Sequence, residues 1–324
     1  MKARICAAVL AWLFLPSAAA MAGQRFALIV AGASGGPEYV DQYKRWTLDL
    51  STSLIANLKF DPALVTVLSD TSGSASTSAS TAANVRRAIA ATASRMTRDD
   101  LLLIVLIGHG TFDGTDAKFN LVGRDLESTE WSDLLRQLPG RLVIVNTAAA
   151  SFPFLERLAG PRRIVVTATD TAAQQFDTIF PEYFIQSIDD VAADLDKNGR
   201  ISVWEAFAAA STSVRRHYQQ RGQLPTERAL LDDNGDGVGN EFSSPRDDGS
   251  LASRTYLDES LPGAAPTDEV MLKLLQRKAM LEAEVDDLKI RKAFLSAAEY
   301  AKEFERIMIE LAQVSHDIRA RTKT

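Results

Sequence analysis

Cysteine is nearly absent from this chain. The single one, Cys6, lies within the N-terminal apolar stretch. The remainder can therefore form no disulfide, offer no thiolate to a metal and supply no cysteine nucleophile. Cys6 also precedes most of that apolar stretch, which is the wrong place for lipid attachment. Histidine is scarce as well, with three in 324 residues. Two of these, His217 and His316, read as solvated residues on charged helical faces with no metal partner. No run of lysine and arginine occurs, and the net charge is −6, so a nucleic-acid partner is excluded on electrostatic grounds.

The N-terminus, "MKARICAAVLAWLFLPSAAAMAG", carries Lys2 and Arg4, an apolar core from Ile5 to Leu15, and then small residues. These are the three parts of a secretory signal, and the core is too short for a membrane-spanning helix. Cleavage after Ala20 or Ala22 fits the small-residue rule, so residues 1–22 are expected to leave a periplasmic or secreted product with no stable membrane span. Losing Lys2 and Arg4 leaves 34 basic against 42 acidic residues, a charge of −8. The roughly 300 residues that remain can hold one large domain and an appendage. With 46% apolar residues, they can build a full core.

Short runs rich in Val, Ile and Leu recur at 25–32, 63–70, 101–110, 141–147 and 162–169. Such runs suit strands buried on both faces. Helical patterns fall between them at 39–57, 81–96 and 130–138, and "TSGSASTSAS" (71–80) reads as a loop. This alternation predicts an α/β fold with a mostly parallel sheet covered by helices on both sides. Ligands and catalytic groups of such sheets gather at the C-terminal strand ends. There the third run ends in "IGHGTFDG", with His109 between two glycines. The fourth ends in "NTAAASF", tipped by Ala148, Ala149 and Ala150.

These two tips resemble the His/Cys dyad of the caspase–legumain superfamily of cysteine peptidases. In that superfamily one strand ends in a Gly-His-Gly-like motif and the next in Asp/Glu-Ala-Cys-x-Ser-Gly. The likeness spans roughly residues 25–190, and "AGASGGPEYVDQY" is also similar to bacterial legumain-like proteins. It implies a caspase-like three-layer sandwich over residues 23–190. His109 takes the histidine position, Ala149 the nucleophile position and Ser151 the serine, while Phe152 replaces the glycine. Val40 stands where legumain-like enzymes carry an arginine for side-chain recognition.

A thiol attacks a carbonyl because a neighbouring histidine keeps it close to the thiolate form, and an alanine methyl cannot. Ser151 and Thr147 are the possible substitute nucleophiles, since Ser/His pairs work elsewhere. However, each stands two residues from the nucleophile position. The expectation is a pseudopeptidase, with a hydrolase using His109 and Ser151 or Thr147 as the alternative.

"DLDKNGRISVWE", 194–205, fits the twelve-residue EF-hand calcium loop. Asp194, Asp196 and Asn198 fall at its first, third and fifth positions, and Gly199 makes the bend at the sixth. Arg200 offers a carbonyl at the seventh, Ser202 sits at the ninth, and Glu205 is the bidentate twelfth ligand. Helical patterns flank it as "PEYFIQSIDDVAA" and "VWEAFAAASTSVRRHYQQR". "DDNGDGVGNEF" is a weaker echo with Asp232, Asn234 and Asp236. Ser243 stands where its glutamate belongs, so it either borrows a carboxylate such as Glu241 or is an Asx-rich turn. The expected cofactor is Ca2+ within a calcium-loop region at 181–242. It would act as a clamp between the sheet and the helix carrying Trp204 and Phe207.

Residues 243–268 read as a linker from their Pro, Gly, Ser and acid content. Residues 269–321 hold two amphipathic stretches without Pro or Gly, a helical hairpin or a coiled coil. One stripe is Leu274, Leu281, Val285 and Leu288; the other is Phe304, Ile307, Leu311, Val314 and Ile318. The sequence thus predicts an exported calcium-binding interaction module with a protein or peptide partner. Self-association through the C-terminal helices is a further expectation.

Overall fold

The computed structural model describes residues 23–70, 78–244, 248–258 and 268–322. The expected signal segment, most of the 71–80 loop and parts of the expected linker (245–247 and 259–267) lie outside them. The core is a seven-stranded sheet in the order β10-β9-β8-β4-β1-β2-β3. Its strands are β1 (Arg25–Ala31), β2 (Val65–Ser69), β3 (Ser78–Ala79), β4 (Leu101–Ile107), β8 (Arg141–Asn146), β9 (Arg163–Thr167) and β10 (Leu230–Asp232). All neighbours run parallel except β10, which pairs antiparallel with β9.

The continuous apolar runs follow from burial of both sheet faces. Ala27, Ile29 and Ala31 of β1 join one core cluster, and Phe26, Leu28 and Val30 join the other. Leu103 and Val105 of β4 face the first, Leu102 and Ile104 the second. The first face is covered by α1 (Pro37–Thr52), α5 (Phe180–Ser187) and α6 (Val203–Gln220) through Trp46, Phe184 and Phe207. The second is covered by α2 (Ala82–Ala93), α3 (Ser128–Leu135) and α4 (Phe152–Leu158) through Ile89, Trp131 and Phe154. This is the mostly parallel α/β sheet, layered with helices, that the sequence predicts.

Several details differ from expectation. The run at 101–110 stops as a strand at Ile107, because Gly108 turns the chain with φ +153°. Beyond it a three-stranded antiparallel sheet forms from β5 (Gly110–Phe112), β6 (Ala117–Phe119) and β7 (Leu126–Glu127), which the run-based reading does not foresee. Helix α4 is also new, although Pro153 in its first turn and the spacing of Phe154, Leu155 and Leu158 signal it. The helix expected to run into the 194–205 loop ends at Ser187. A single turn at Val191–Ala193, capped by Asp190 accepting from the Ala192 amide, leads into the loop instead.

Helices α7 (Glu269–Arg291) and α8 (Ala297–Thr322) form an antiparallel hairpin. Ion pairs join Arg321 to Asp268 at one end and Arg291 to Glu303 at the other, with Arg277–Glu310 between. The hairpin shares its apolar interior with the first core cluster through Leu272, Leu275 and Leu281. Within the expected linker, residues 248–258 are packed rather than extended, and Val203 donates to the Thr255 carbonyl at 2.8 Å. Among the described residues no helix is long and apolar enough to cross a membrane.

Candidate functional site

The strand tips bring His109 and Ala149 onto neighbouring elements. Gly110 lies so close to the Ala149 carbonyl that a Cβ there would stand 2.3 Å from it, so only glycine permits this approach. His109 itself is fully engaged. Its Nε2 lies 3.0 Å from the Ser34 carbonyl and its Nδ1 3.1 Å from Asp177 Oδ1. Both partners are acceptors, so neither nitrogen faces a proton that it could remove. Tyr39 donates to the other Asp177 oxygen and sets its ring edge-on to the imidazole at 4.6 Å. That carboxylate also raises the Tyr39 hydroxyl above its usual value. Ser34 is held in turn by Asp70, which accepts from its amide at 2.9 Å and its hydroxyl at 2.6 Å. Ser34, Tyr39, Asp70 and Asp177 were not singled out by sequence reasoning: Ser34 and Tyr39 sit inside the quoted segment 31–43, with Tyr39 on the first turn of α1, while Asp70 and Asp177 come from separate loops that carry no motif.

Ala149 is 5% exposed, and Ala150 has φ +49° with its amide donating to the Gln174 carbonyl at 2.7 Å. Ser151 and Thr147 are fully buried. The Ser151 hydroxyl pairs with Thr169 Oγ1 at 3.1 Å and accepts from the Thr169 amide at 3.2 Å. The Thr147 hydroxyl donates to the Leu106 carbonyl at 2.7 Å. A hydroxyl so committed has no path to a peptide carbonyl.

The 194–205 loop gathers a different chemistry. Carboxylate oxygens of Asp194, Asp196 and Glu205 all lie within 4.8 Å of one another, and the three residues are 5%, 4% and 1% exposed. The turn is knitted by its own side chains. Asp194 accepts from the amides of Asn198 at 3.2 Å and Gly199 at 3.0 Å, and Asn198 Oδ1 accepts from Arg200 at 2.7 Å. Gly199 has φ +83°, the bend only glycine takes freely. Glu205 Oε1 accepts from the Leu195 amide at 2.9 Å. Its Oε2 accepts from Ser202, closing a capping box at the start of α6. Burial, with Asp196 nearby, pushes Glu205 up to about 7; burial likewise raises Asp196. The Arg200 side chain is drawn away to Asp258, to which its Nε donates at 2.9 Å.

The 232 loop repeats the opening pattern. Asp232 accepts from Gly235 at 2.8 Å and Gly237 at 2.6 Å, and Asn234 Oδ1 accepts from Asp236 at 2.8 Å. The carboxylate closing it is Asp248, not Glu241. Asp248 Oδ1 accepts from the amides of Asp233 at 3.0 Å and Asn234 at 3.4 Å. Glu205 accepts from the corresponding amides, Leu195 and Asp196, at 2.9 and 3.4 Å. Glu241 turns instead toward Arg228 at 3.8 Å. Asn234 and Asp236 remain exposed.

His217, expected to be solvated, pairs with the Tyr183 hydroxyl at 2.8 Å and joins α5 to α6.

No protein-family model and no curated protein matches the chain. Among solved structures it is similar to a structural-genomics target protein from Geobacter sulfurreducens, at 15% identity and TM-score 0.42, covering 64% of this chain and 92% of that one. It is similar to the Drosophila initiator caspase Dronc at 12% identity and TM-score 0.43, covering 66% and 81%. It is also similar to Caspase-1 from Spodoptera frugiperda at 10% identity and TM-score 0.38, covering 65% and 87%. The likeness is one of fold alone.

Proposed function

We propose that this chain is an exported calcium-binding protein on a caspase/legumain-like scaffold, serving as an interaction module without peptidase activity. The observation that carries the reading is the buried trio Asp194, Asp196 and Glu205. Burying one uncompensated carboxylate is costly, and crowding three multiplies the cost unless a cation joins them. Among the described residues none of the three makes an ion pair with a basic side chain. An all-oxygen donor set in a glycine-bent turn suits a hard cation of calcium's size. Asp194, Asp196, Asn198, Glu205 and the Arg200 carbonyl would hold it, with Ser202 behind the ninth position. When bound, calcium supplies the counter-charge that lets the loop stay buried and anchors the start of α6. The 232 loop, closed by Asp248, is a second and weaker site of the same kind.

The peptidase side of the reading rests on Ala149, since no thiol exists beyond Cys6. The alternative, a hydrolase using Ser151 or Thr147, is opposed by the burial and hydrogen bonding of both hydroxyls. Export rests on the N-terminal pattern of residues 1–22. Calorimetric titration of the metal-depleted protein with calcium tests the central claim. One site that disappears in Glu205→Gln supports it, and equal binding in both proteins refutes it.

A further inference from the structure

Helix α7 places a lysine against the first loop. Lys278 is 8% exposed, and its ammonium donates to the carbonyl of Leu195, the loop's second residue, at 2.5 Å. Glu282, 3.9 Å away, is its own-helix partner. The other charges acting on it are Lys197, Asp194 and Glu205. An ammonium this deeply buried is expensive unless negative charge lies near. Glu282 supplies part of that charge and the loop's Asp194 and Glu205 supply more, although neither loop carboxylate is within ion-pair distance of Lys278. Asp194 and Glu205 are also groups that a loop cation would neutralise.

Resting on the calcium reading, we propose that Lys278, seated on the Leu195 carbonyl, is a resident counter-cation of the first loop and sets its affinity by competing with calcium for the field of Asp194 and Glu205. Without an ion the negative charge of Asp194 and Glu205 acts on Lys278, and a divalent ion offsets it. Calcium therefore weakens the attraction that holds the ammonium, and the ammonium in turn repels the ion. By linkage the two effects are equal. Lys278 also belongs to the C-terminal hairpin, so occupancy of the loop is felt directly by α7. The hairpin is anchored a second time where Gln276 donates to the Asp248 carbonyl at 3.4 Å. That contact touches the second loop's closing residue and leaves α7 attached when the first anchor loosens.

The experiment is calcium calorimetry on the full mature chain and its variants. Lys278→Met keeps the stem and removes the charge; its calcium affinity should rise on the order of tenfold, the scale of a like charge lost from a partly screened site. Lys278→Arg, which keeps the charge, should stay near wild type. So should Lys273→Met, an exposed lysine of the same helix paired with Glu269. An unchanged or weaker affinity in Lys278→Met would overturn the proposal and make Lys278 a structural prop. If Lys278→Met does not fold, the wild type still decides. Acetylation of Lys278 by an amine reagent, read by mass spectrometry, should be faster with calcium than with chelator, and equal or slower labelling overturns the proposal. Calcium binding with no Lys278 effect defeats only this inference, whereas no binding in wild type defeats the calcium reading and this inference together.

Discussion

The two ends of the sheet handle polar groups in opposite ways. At the C-terminal strand tips the histidine and both hydroxyls are engaged, His109 by Ser34 and Asp177, Ser151 by Thr169, Thr147 by Leu106, while the buried Asn146 Nδ2 and Gln174 amide beside them lack partners among the described residues. At the other end, β10 runs antiparallel and releases the 232 loop beside the start of β9, where Gly235 packs on Gly160. The segment that clasps the first loop reaches the same end, since Arg25 donates to Leu257 and Arg141 to Thr255. Here three buried carboxylates converge and, among the described residues, none has a basic side chain within ion-pair distance. A buried cluster of like charges gains by taking a cation even when each carboxylate is hydrogen-bonded, whereas a paired neutral hydroxyl gains little from a ligand.

The largest effect should come from the carboxylate end. At a hundredfold excess over the dissociation constant, calcium should stabilise the native state by about 2.7 kcal/mol, a shift in melting temperature on the order of 5 °C or more. Glu205→Gln should abolish that shift, because its carboxylate is both the final ligand and the capping-box partner of Ser202. Differential scanning calorimetry with calcium and with chelator reads the difference directly. A calcium shift of wild-type size in Glu205→Gln would break the contrast.

Acidity gives the next largest effect, and its sign is fixed by burial. Glu205 is held near 7, above its ordinary 4.5. The metal-free fold therefore binds a proton that the unfolded chain has already lost between those values. Its contribution to stability is fully present below about 4.5 and disappears as pH rises through 7. Calcium takes the deprotonated form, so affinity should climb over the same window. Glu227, also pushed to about 7 by burial, caps α5 through the Ile179 and Phe180 amides and lies outside both loops. It should lower the melting curves with and without calcium alike. The gap between the two curves, measured from pH 5 to 7.5, should thus widen with pH, and a constant gap would count against the loop as its source.

A smaller change should separate the two loops. Asp248→Asn should weaken a second, low-affinity calcium event and leave the first intact, while Glu241→Gln should alter neither. The first loop is closed within twelve residues on the N-terminus of a helix, whereas the second depends on a carboxylate sixteen residues beyond Asp232, and its Asn234 and Asp236 face solvent. Loss of the second event in Glu241→Gln rather than Asp248→Asn would restore the assignment suggested by spacing alone.

How much of this was legible in the sequence depends on where the determinants lie. The parallel strands were, because burial on both faces writes itself as unbroken runs such as Leu101–Ile107. The 194–205 loop was, because all its donors fall within one short segment. Asp248 was not, since its position is set by how residues 248–258 fold back on both loops and no periodicity encodes that. Asp177 was missed for the same reason: it meets His109 only because the loop after β9 crosses the neighbouring tips. The stop at Ser187 escaped because "IDDVAA" is compatible with helix, and Asp190 captures the Ala192 amide only once the loop beyond is formed.

The smallest effect is expected at the strand tips, where it tests the other half of the comparison. His109→Ala should change no hydrolytic activity, because the wild type should show none against a diverse peptide library. It should cost stability only modestly, about 0–1 kcal/mol, the usual worth of a partly exposed ion pair, since the Asp177 side chain is 53% exposed. Ala149→Cys is the sharper variant. It restores a thiol at a position 5% exposed, but both nitrogens of the nearby imidazole face Ser34 and Asp177, so the ring is not aimed at residue 149 to activate it. Without that activation the thiol should alkylate slowly and turn over no peptide. Adding His109-dependent turnover by that one substitution would show that the tips remain a working cleft and that the missing sulfur alone silenced them. Turnover in the wild type that vanishes in His109→Ala would go further and overturn the pseudopeptidase reading itself.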